Sequence, residues 1–477
     1  MRTIVWFRDK DLRVSDHAPL RDAAGAGDVI PLFVLDPGVL APAGAPERPH
    51  GLQFQLDSLQ ELEASLAQRG SRLVAVSGES VEVVFRLARR WKADRVVAYR
   101  RVEPFAREQD RRLGGALGGR LGLYEGETLL KPGTLRTGEG KPYSVFTRFA
   151  RAFWRTASVG EPLSPPRRLR PLPDGVDTGA TPIPPCEALG IDRNPAVLAG
   201  GERAARLRLR RFLTGAAAAY AERRDRLDLD GTSRLSADLS HGTLSVRRVW
   251  TDVESALGGT GPAQSFLNEL LWREFSHSTL WDRPELLEKP FRAAFAGFPW
   301  RDDEALWQAW VLGRTGYPVV DASARQLLGE GFVHNRARMI SASFLTKHLL
   351  IDYRRGEAHY MKYLTDGDLA QNNAGWQWSA GCGCDAQPYF RVFNPVTQGE
   401  RFDPEGNYVR RWVPELARMP ARFVHRPWEA PKPVLREAGV RLCDDYPPPV
   451  VDHRAARVRF LALAARHLKT ATKPTEA

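Results

Sequence analysis

Over the first 130 residues, short β-branched runs alternate with helical stripes. "TIVWF", "DVIPLFVLD", "SRLVAVSG" and "DRVVAY" read as buried strands. Between the second and third, Leu52, Leu56, Leu59, Leu62 and Leu66 recur every three or four residues, the stripe of a helix with one apolar face. This alternation predicts a Rossmann-like, parallel, doubly wound α/β sheet. No G-x-G-x-x-G follows the first strand, where "WFRDKDLR" stands instead, so the sheet alone does not make a nicotinamide enzyme. Residues 160–200 are too rich in proline for helix or sheet and read as linker. From Glu202 the pattern turns helical and stays so, beginning with "ERAARLRLRRFL". The arginines of that helix read first as a solvated face and second as a DNA contact. The predicted organisation is an α/β domain over 1–130, a linker over 131–200, and an all-helical domain over 201–477 ending in a short basic tail.

Composition narrows the class. A chain of 477 residues suggests two or three domains, and 43% hydrophobic residues mark it as globular. Lys+Arg 69 against Asp+Glu 57 gives +12, which favours a polyanionic partner without naming one. Four cysteines make no disulfide framework. Cys382 and Cys384 form a CGC, but Cys186 and Cys443 lie far off, so no metal site is expected and the thiols are read as reduced. No apolar run approaches the length of about 18 that spans a bilayer, and "MRTIVWFRDK" reads as a strand and not a signal peptide. A cytoplasmic monomer that meets no membrane is the expectation. Thirteen tryptophans exceed what such a core requires.

Four segments of the helical half carry more polar specificity than packing needs. In "GTSRLS", Thr232, Ser233 and Ser236 surround Arg234, which suits a phosphate or diphosphate, or an ordinary helix cap. In "FLNELLWREF", Phe266, Glu269, Trp272 and Arg273 share a helix face, which suits stacking and hydrogen bonding to a flat heterocycle, or a surface Glu–Arg pair beside a buried Trp. "HNRARM" opens a helix read as "NRARMISASFLTKHLL", with Asn335 and Met339 at i, i+4 and Arg336 and Arg338 at other angles. "DGDLAQNNAGWQWSAG" sets Asp366 and Asp368 before Asn372, Trp376 and Trp378. The acids could cap a helix or accept from a ligand, and Asn372 can meet a ring nitrogen in either protonation state. Trp376 and Trp378, at i, i+2, cannot share a helix face.

These motifs, with "GRTGYPVVDA", "YFRVFNPVTQGERFD" and "VWFR…DLRVSDHAPL", resemble the DNA photolyase/cryptochrome family across both domains. Within it they are most like microbial (class I type) cyclobutane pyrimidine dimer photolyases. The resemblance implies an antenna-binding α/β domain and a helical FAD-binding domain. FAD would be held by Tyr220, Thr232, Ser233, Arg234, Leu235, Ser236, Phe266, Arg273, Arg338, Asp366, Gly367 and Asp368, with Asn372 facing flavin N5 and Arg338 pairing with Asp366. Relatives often carry Trp where Phe266 stands. Glu269 would hydrogen-bond a flipped-out pyrimidine pair, Trp272 and Trp378 would stack on it, and Asn335 and Met339 would touch it. Arg336, Arg391 and Gln398 would contact the DNA backbone. The implied activity is light-dependent repair, in which FADH⁻ transfers an electron to the dimer, which splits into two pyrimidines.

By the same resemblance, flavin photoreduction runs through aromatic residues, with Trp376 proximal, Tyr353 in the middle and Trp310 distal, and Trp307 available for a detour. Tyr353 departs from the family's usual Trp. An antenna chromophore is implied but not identified. Phe105 and Ala106 stand where some relatives bind folate through Asn–Glu, which brings the stretch closer to relatives that use a deazaflavin, while a flavin, a folate held differently or no antenna at all stay open. The competing readings are a cryptochrome-like photoreceptor and a DNA-binding protein with a vestigial cofactor fold.

Overall fold

The computed structural model describes residues 1–40, 48–176 and 181–471. Linker residues 177–180 and the tail beyond 471 lie outside the described residues. Strands β1 (Arg2–Phe7), β2 (Asp28–Leu35), β3 (Val74–Ser77), β4 (Arg95–Tyr99) and β5 (Leu121–Tyr124) form one parallel sheet in the order β3-β2-β1-β4-β5. Residues Ile4 and Ile30 pair across β1 and β2. Alternate side chains feed two cores. Ile4, Trp6, Ile30 and Leu32 pack with Val83, Val84 and Leu87, whereas Val5, Phe7, Val29 and Phe33 pack with Leu59, Leu62 and Leu66. Covering both faces is what a parallel sheet requires. The sequence pattern predicts four strands and misses β5, because "LGLY" is half-buried throughout and carries Gly122 in place of an apolar side chain.

The leucine stripe forms helix α1 (Pro49–Ala67). Its first half, Leu52 and Leu56, is covered by Cys186 and Ile191, so part of the proline-rich segment packs as structure. The remaining helices that bear on function are α2 (Phe146–Thr156), α3 (Glu202–Thr214), α4 (Ser236–His241), α5 (Gly261–Asp282), α6 (Glu304–Val311), α7 (Asn335–Ser343), α8 (Tyr353–Tyr363), α9 (Leu369–Ala380) and α10 (Pro395–Phe402). Thr260 caps α5 by accepting from the Ala263 amide, with Pro262 in its first turn. The helix expected to run on from Asn335 instead widens into a π-turn at Phe344–His348, whose five side chains are all buried. Such widened turns concentrate at functional segments. Here it places Lys347 Nζ 2.9 Å from the Arg391 carbonyl.

The chain forms two compact units. The first comprises Met1–Ala221, Thr232–Pro284 and Thr365–Ala370, and the second comprises Glu222–Gly231, Glu285–Leu364 and Gln371–Ala477.

Candidate cofactor and substrate site

In the first unit, three distant segments converge. Ser240 donates to the Gly367 carbonyl at 3.1 Å, and His241 Nε2 lies 3.0 Å from the Thr365 carbonyl. Burial and the Arg48 charge push His241 down to about 4, so its neutral ring donates there. The loop before α4 turns at Arg234, whose φ of 53° is left-handed, a conformation that costs a non-glycine residue energy unless the surroundings hold it. Helix α5 buries Phe266 and Arg273 and keeps Glu269 and Trp272 half-exposed on the same stripe. Phe266 packs edge-on against Tyr220 at 5.1 Å and at a 38° tilt against Phe212 at 4.9 Å. Arg273 donates to the Glu127 carbonyl at 2.7 Å, while its Nε has no hydrogen-bond partner among the described residues.

Asp368 belongs to a buried charge network that the sequence reading missed. Lys10 Nζ meets Asp368 at 2.8 Å, Glu127 at 3.0 Å, and Glu103 as well. His277 Nε2 lies 3.4 Å from Asp368 and 3.6 Å from Glu127. Burial disfavours the imidazolium, but the Asp368 carboxylate outweighs it and pushes His277 up to about 9. Glu127, His277 and Asp368 have the composition of a metal site, yet the ammonium of Lys10 already bridges the two carboxylates. Only the tertiary structure reveals this set, because its members come from five separate stretches of chain with no common spacing.

In the second unit, α9 sorts the residues of its motif by face. Asn372 and Trp376 lie on one side, and Asn373 and Gln377 on the next. Asn373 Nδ2 donates to the Leu286 carbonyl at 2.9 Å, and Gln377 Nε2 to the same carbonyl at 2.9 Å. Trp376 is buried and Trp378 half-buried, so the two indoles do serve different surroundings. Asn335 Nδ2 points at Met339 Sδ, 3.8 Å away, as the i, i+4 spacing predicts. Arg338 donates from Nε to the Val333 carbonyl at 2.7 Å. Arg336 pairs with Asp225 at 2.8 Å and lies 4.5 Å over the Phe402 ring. Arg391 is exposed beside Phe390, which is 60% exposed, and Gln398 is half-buried on α10.

The aromatic chain differs from the expected order. Trp310 was expected to be distal, but it is 1% exposed and touches Trp376 directly, with ring centroids 6.1 Å apart. Trp307 continues from Trp310 at 5.4 Å. Tyr360 contacts both Trp376 and Trp310, at 5.1 and 6.1 Å. Tyr353 instead has half-buried Trp300 as its ring neighbour at 6.4 Å. Spacing along the chain could not order these rings, because three helices and a loop supply them.

Comparison with known proteins decides the family. A profile described as "DNA photolyase" matches residues 3–168, and one described as "FAD binding domain of DNA photolyase" matches residues 266–466. The chain is 41% identical to a deoxyribodipyrimidine photo-lyase of Agrobacterium fabrum, over 98% of each chain. It is 39% identical to that of Escherichia coli, covering 96% of this chain and 97% of the other. The chain belongs to the DNA photolyase family. Among solved structures it resembles a bacterial class III photolyase from Agrobacterium tumefaciens, with TM-score 0.91, 40% identity and 98% of each chain covered. A Synechocystis cryptochrome aligns at TM-score 0.89 and 30% identity, covering 97% of this chain and 99% of the other. Light-dependent DNA repair on an FAD cofactor, the activity implied by the sequence resemblance, is therefore supported along the whole chain.

The residues present fit FAD in this photolyase. The left-handed turn within Thr232–Ser236, the orphaned Nε of buried Arg273 and the Asp368 carboxylate supply donors and an acceptor for a dinucleotide. Tyr220 and Phe266 supply the apolar wall. One further residue went unread in the sequence. Phe146, at the start of α2, lies flat on the Trp272 indole at 3.7 Å with an 8° tilt. Its signal, an aromatic in "YSVFTRF", is indistinguishable from core packing without the fold.

Proposed function

We propose that this photolyase draws a cyclobutane pyrimidine dimer out of UV-damaged DNA and splits it under blue light. FAD, when bound, supplies the photochemistry, absorbing light and lending one electron to the dimer. Tyr220, Thr232–Ser236, Phe266, Arg273 and Asp366–Asp368 hold it, and Arg338 and Asn372 complete its surroundings. The observation that carries the reading is helix α5, which along one stripe buries Phe266 and Arg273 and keeps Glu269 and Trp272 half-exposed. A single rigid element thus carries both cofactor anchors and substrate readers, and rigid elements place such groups more accurately than loops do.

Photolyases act on bases taken out of the stack, and a lesion that already stacks badly leaves it at lower cost. Trp272, backed by Phe146, presents an aromatic face, and Trp378 presents another. Glu269 hydrogen-bonds the extruded pair, with Asn335 and Met339 beside it, while Arg336, Arg391 and Gln398 meet phosphates. Trp376, Trp310 and Trp307 pass an electron inward to regenerate the reduced cofactor, with Tyr353 and Trp300 as a parallel branch.

A second chromophore fits the α/β unit. At the carboxyl ends of β1 and β2, Trp6, Arg8, Asp36, Gln55 and Gln109 line an open cleft, where parallel sheets commonly bind ligands. A flat conjugated antenna suits its mixture of indole and polar groups. A neighbour in structure, an archaeal photolyase from Sulfolobus tokodaii, was solved with two FAD molecules.

The test is illumination of the flavin-reduced protein with a thymine-dimer oligonucleotide. Restored thymines are expected. Intact lesions with the flavin bound and reduced would reject the reading in favour of a signalling photoreceptor, and a protein that takes up no FAD would reject both.

A further inference from the structure

Lys10 lies just beyond the carboxyl end of β1, and its ammonium has three N–H groups to place. Three carboxylates take them. Glu127 accepts at 3.0 Å, Glu103 accepts as well, and Asp368 accepts at 2.8 Å. Glu103 and Glu127 follow β4 and β5, so with Lys10 they belong to the carboxyl edge of the parallel sheet, where such sheets commonly meet ligands. Asp368 comes from elsewhere, 358 positions along the chain. The two glutamates have other ties at the sheet edge, Glu127 to the Val102 amide at 3.0 Å and Glu103 to Arg101 at 3.3 Å. The third N–H of Lys10 is thus the sheet edge's link to Asp368. Water is kept from that link, with the Lys10 side chain 8% exposed and that of Asp368 1%. Burial alone would discharge the amine, but Asp368, Glu103 and Glu127 hold it protonated above the ordinary lysine range. Burial likewise favours a neutral Asp368, but Lys10 and His277 overcome it and hold the carboxyl well below the usual range.

We propose that Lys10 is a positioning residue for the cofactor, fixing the Asp368 carboxylate so that the α/β half of the chain completes the FAD site. This rests on the photolyase reading, in which Asp368 holds FAD. Lys10 need not touch the cofactor to do so. Its bond and the His277 contact at 3.4 Å both fall on Asp368 Oδ2, so the carboxylate is held from two directions and cannot swing without losing both. A carboxylate that is ionised and ordered before the cofactor arrives loses little further freedom on accepting a hydrogen bond from it, and preorganisation of that kind strengthens binding. The sheet edge acts here as a brace for an acid of the helical half.

The experiment titrates FAD into the full-length protein freed of its cofactor and reads affinity from flavin fluorescence. Binding by the unaltered protein is measured first and tests the underlying reading separately. Lys10→Met, close in length and uncharged, should weaken FAD affinity by about tenfold, the factor for one charge-assisted hydrogen bond. Asp368→Asn should weaken it at least as far. Adding Lys10→Met to Asp368→Asn should change affinity by less than about twofold, because both act through one group. A lysine that merely pinned the sheet edge in place would not give that convergence, since its loss would weaken binding equally with either residue at 368. Should Lys10→Met fail to fold, because it leaves three buried carboxylates facing one another, a compensated variant keeps the test. Lys10→Met with Glu103→Gln removes one charge of each sign and must bind FAD about tenfold more weakly than Glu103→Gln alone. A folded protein that lacks Lys10 and keeps the original affinity overturns the proposal, as do losses that multiply in full when Lys10→Met and Asp368→Asn are combined.

Discussion

Glu269 and Trp272 are half-exposed on a helix that buries Phe266, Leu270, Leu271 and Arg273 around them, the pattern of groups kept accessible for a ligand. Glu269→Ala should lower the yield of restored thymines per absorbed photon at saturating DNA while changing affinity for undamaged duplex by less than about twofold. Quantum-yield and binding measurements on the same preparation check this, and an unchanged yield removes Glu269 from the reaction. His277 carries a different prediction. Its proton is held by Asp368 and Glu127 up to about 9, against an ordinary value of 6.5. A raised pKa contributes stability that is complete below the ordinary value and lost as pH rises through the folded one. The melting temperature should therefore fall on going from pH 8 to pH 10, and His277→Gln should flatten that fall. Asp368 is a partner in the same network, so bound FAD should be released over the same pH interval, which its fluorescence in the filtrate would report.

At the scale of elements, α6, α8 and α9 assemble the aromatic rings, and the proposed electron path follows their packing. Trp376 touches Trp310, which touches Trp307. Tyr353 is 3% exposed, and its hydroxyl has no hydrogen-bond partner among the described residues. Burial raises its pKa further, so an oxidised Tyr353 has nowhere to put its proton. The tryptophan branch should dominate. Trp310→Phe should slow flavin photoreduction by about tenfold, as a barrier rise of about 1.4 kcal/mol does, whereas Tyr353→Phe should leave it nearly unchanged. Tyr353→Trp should raise the rate by restoring an oxidisable ring next to Trp300. Transient absorption with a chemical donor distinguishes these cases, and repair by protein reduced beforehand should be indifferent to all three. The guanidinium of Arg355, 4.2 Å over Trp307, opposes a positive charge on that indole, so the branch should end by loss of a proton to water.

At the scale of the molecule, a charge of +12 makes phosphate neutralisation the main source of sequence-independent affinity. Affinity for duplex should fall steeply with salt, and the ratio of damaged to undamaged binding should change little. Arg391 is exposed beside exposed Phe390. Arg391→Ala should weaken both complexes alike and reduce the slope of log affinity against log salt by about one, the signature of one lost phosphate contact. No helix among the described residues is long and apolar enough to cross a membrane.

The amino-acid sequence by itself determined the elements whose signal is local. The β-branched runs of β1 to β4 and the leucine stripe of α1 are written in periodicity, and the polar motifs around Arg234, Glu269 and Asp366 are written in residue types that packing does not require. Tertiary structure decided whatever depends on distance between remote segments. It placed Lys10 and His277 on Asp368, laid Phe146 on Trp272, and moved Trp310 from the expected end of the relay to contact with Trp376. It also bound Asn372 to the Glu357 main-chain carbonyl, Asn373 to the Glu357 carboxyl and Gln377 to Asn373, three different partners for three neighbouring amides. Periodicity reports which side of an element is buried but not what buries it, and electrostatics and electron transfer depend on the latter.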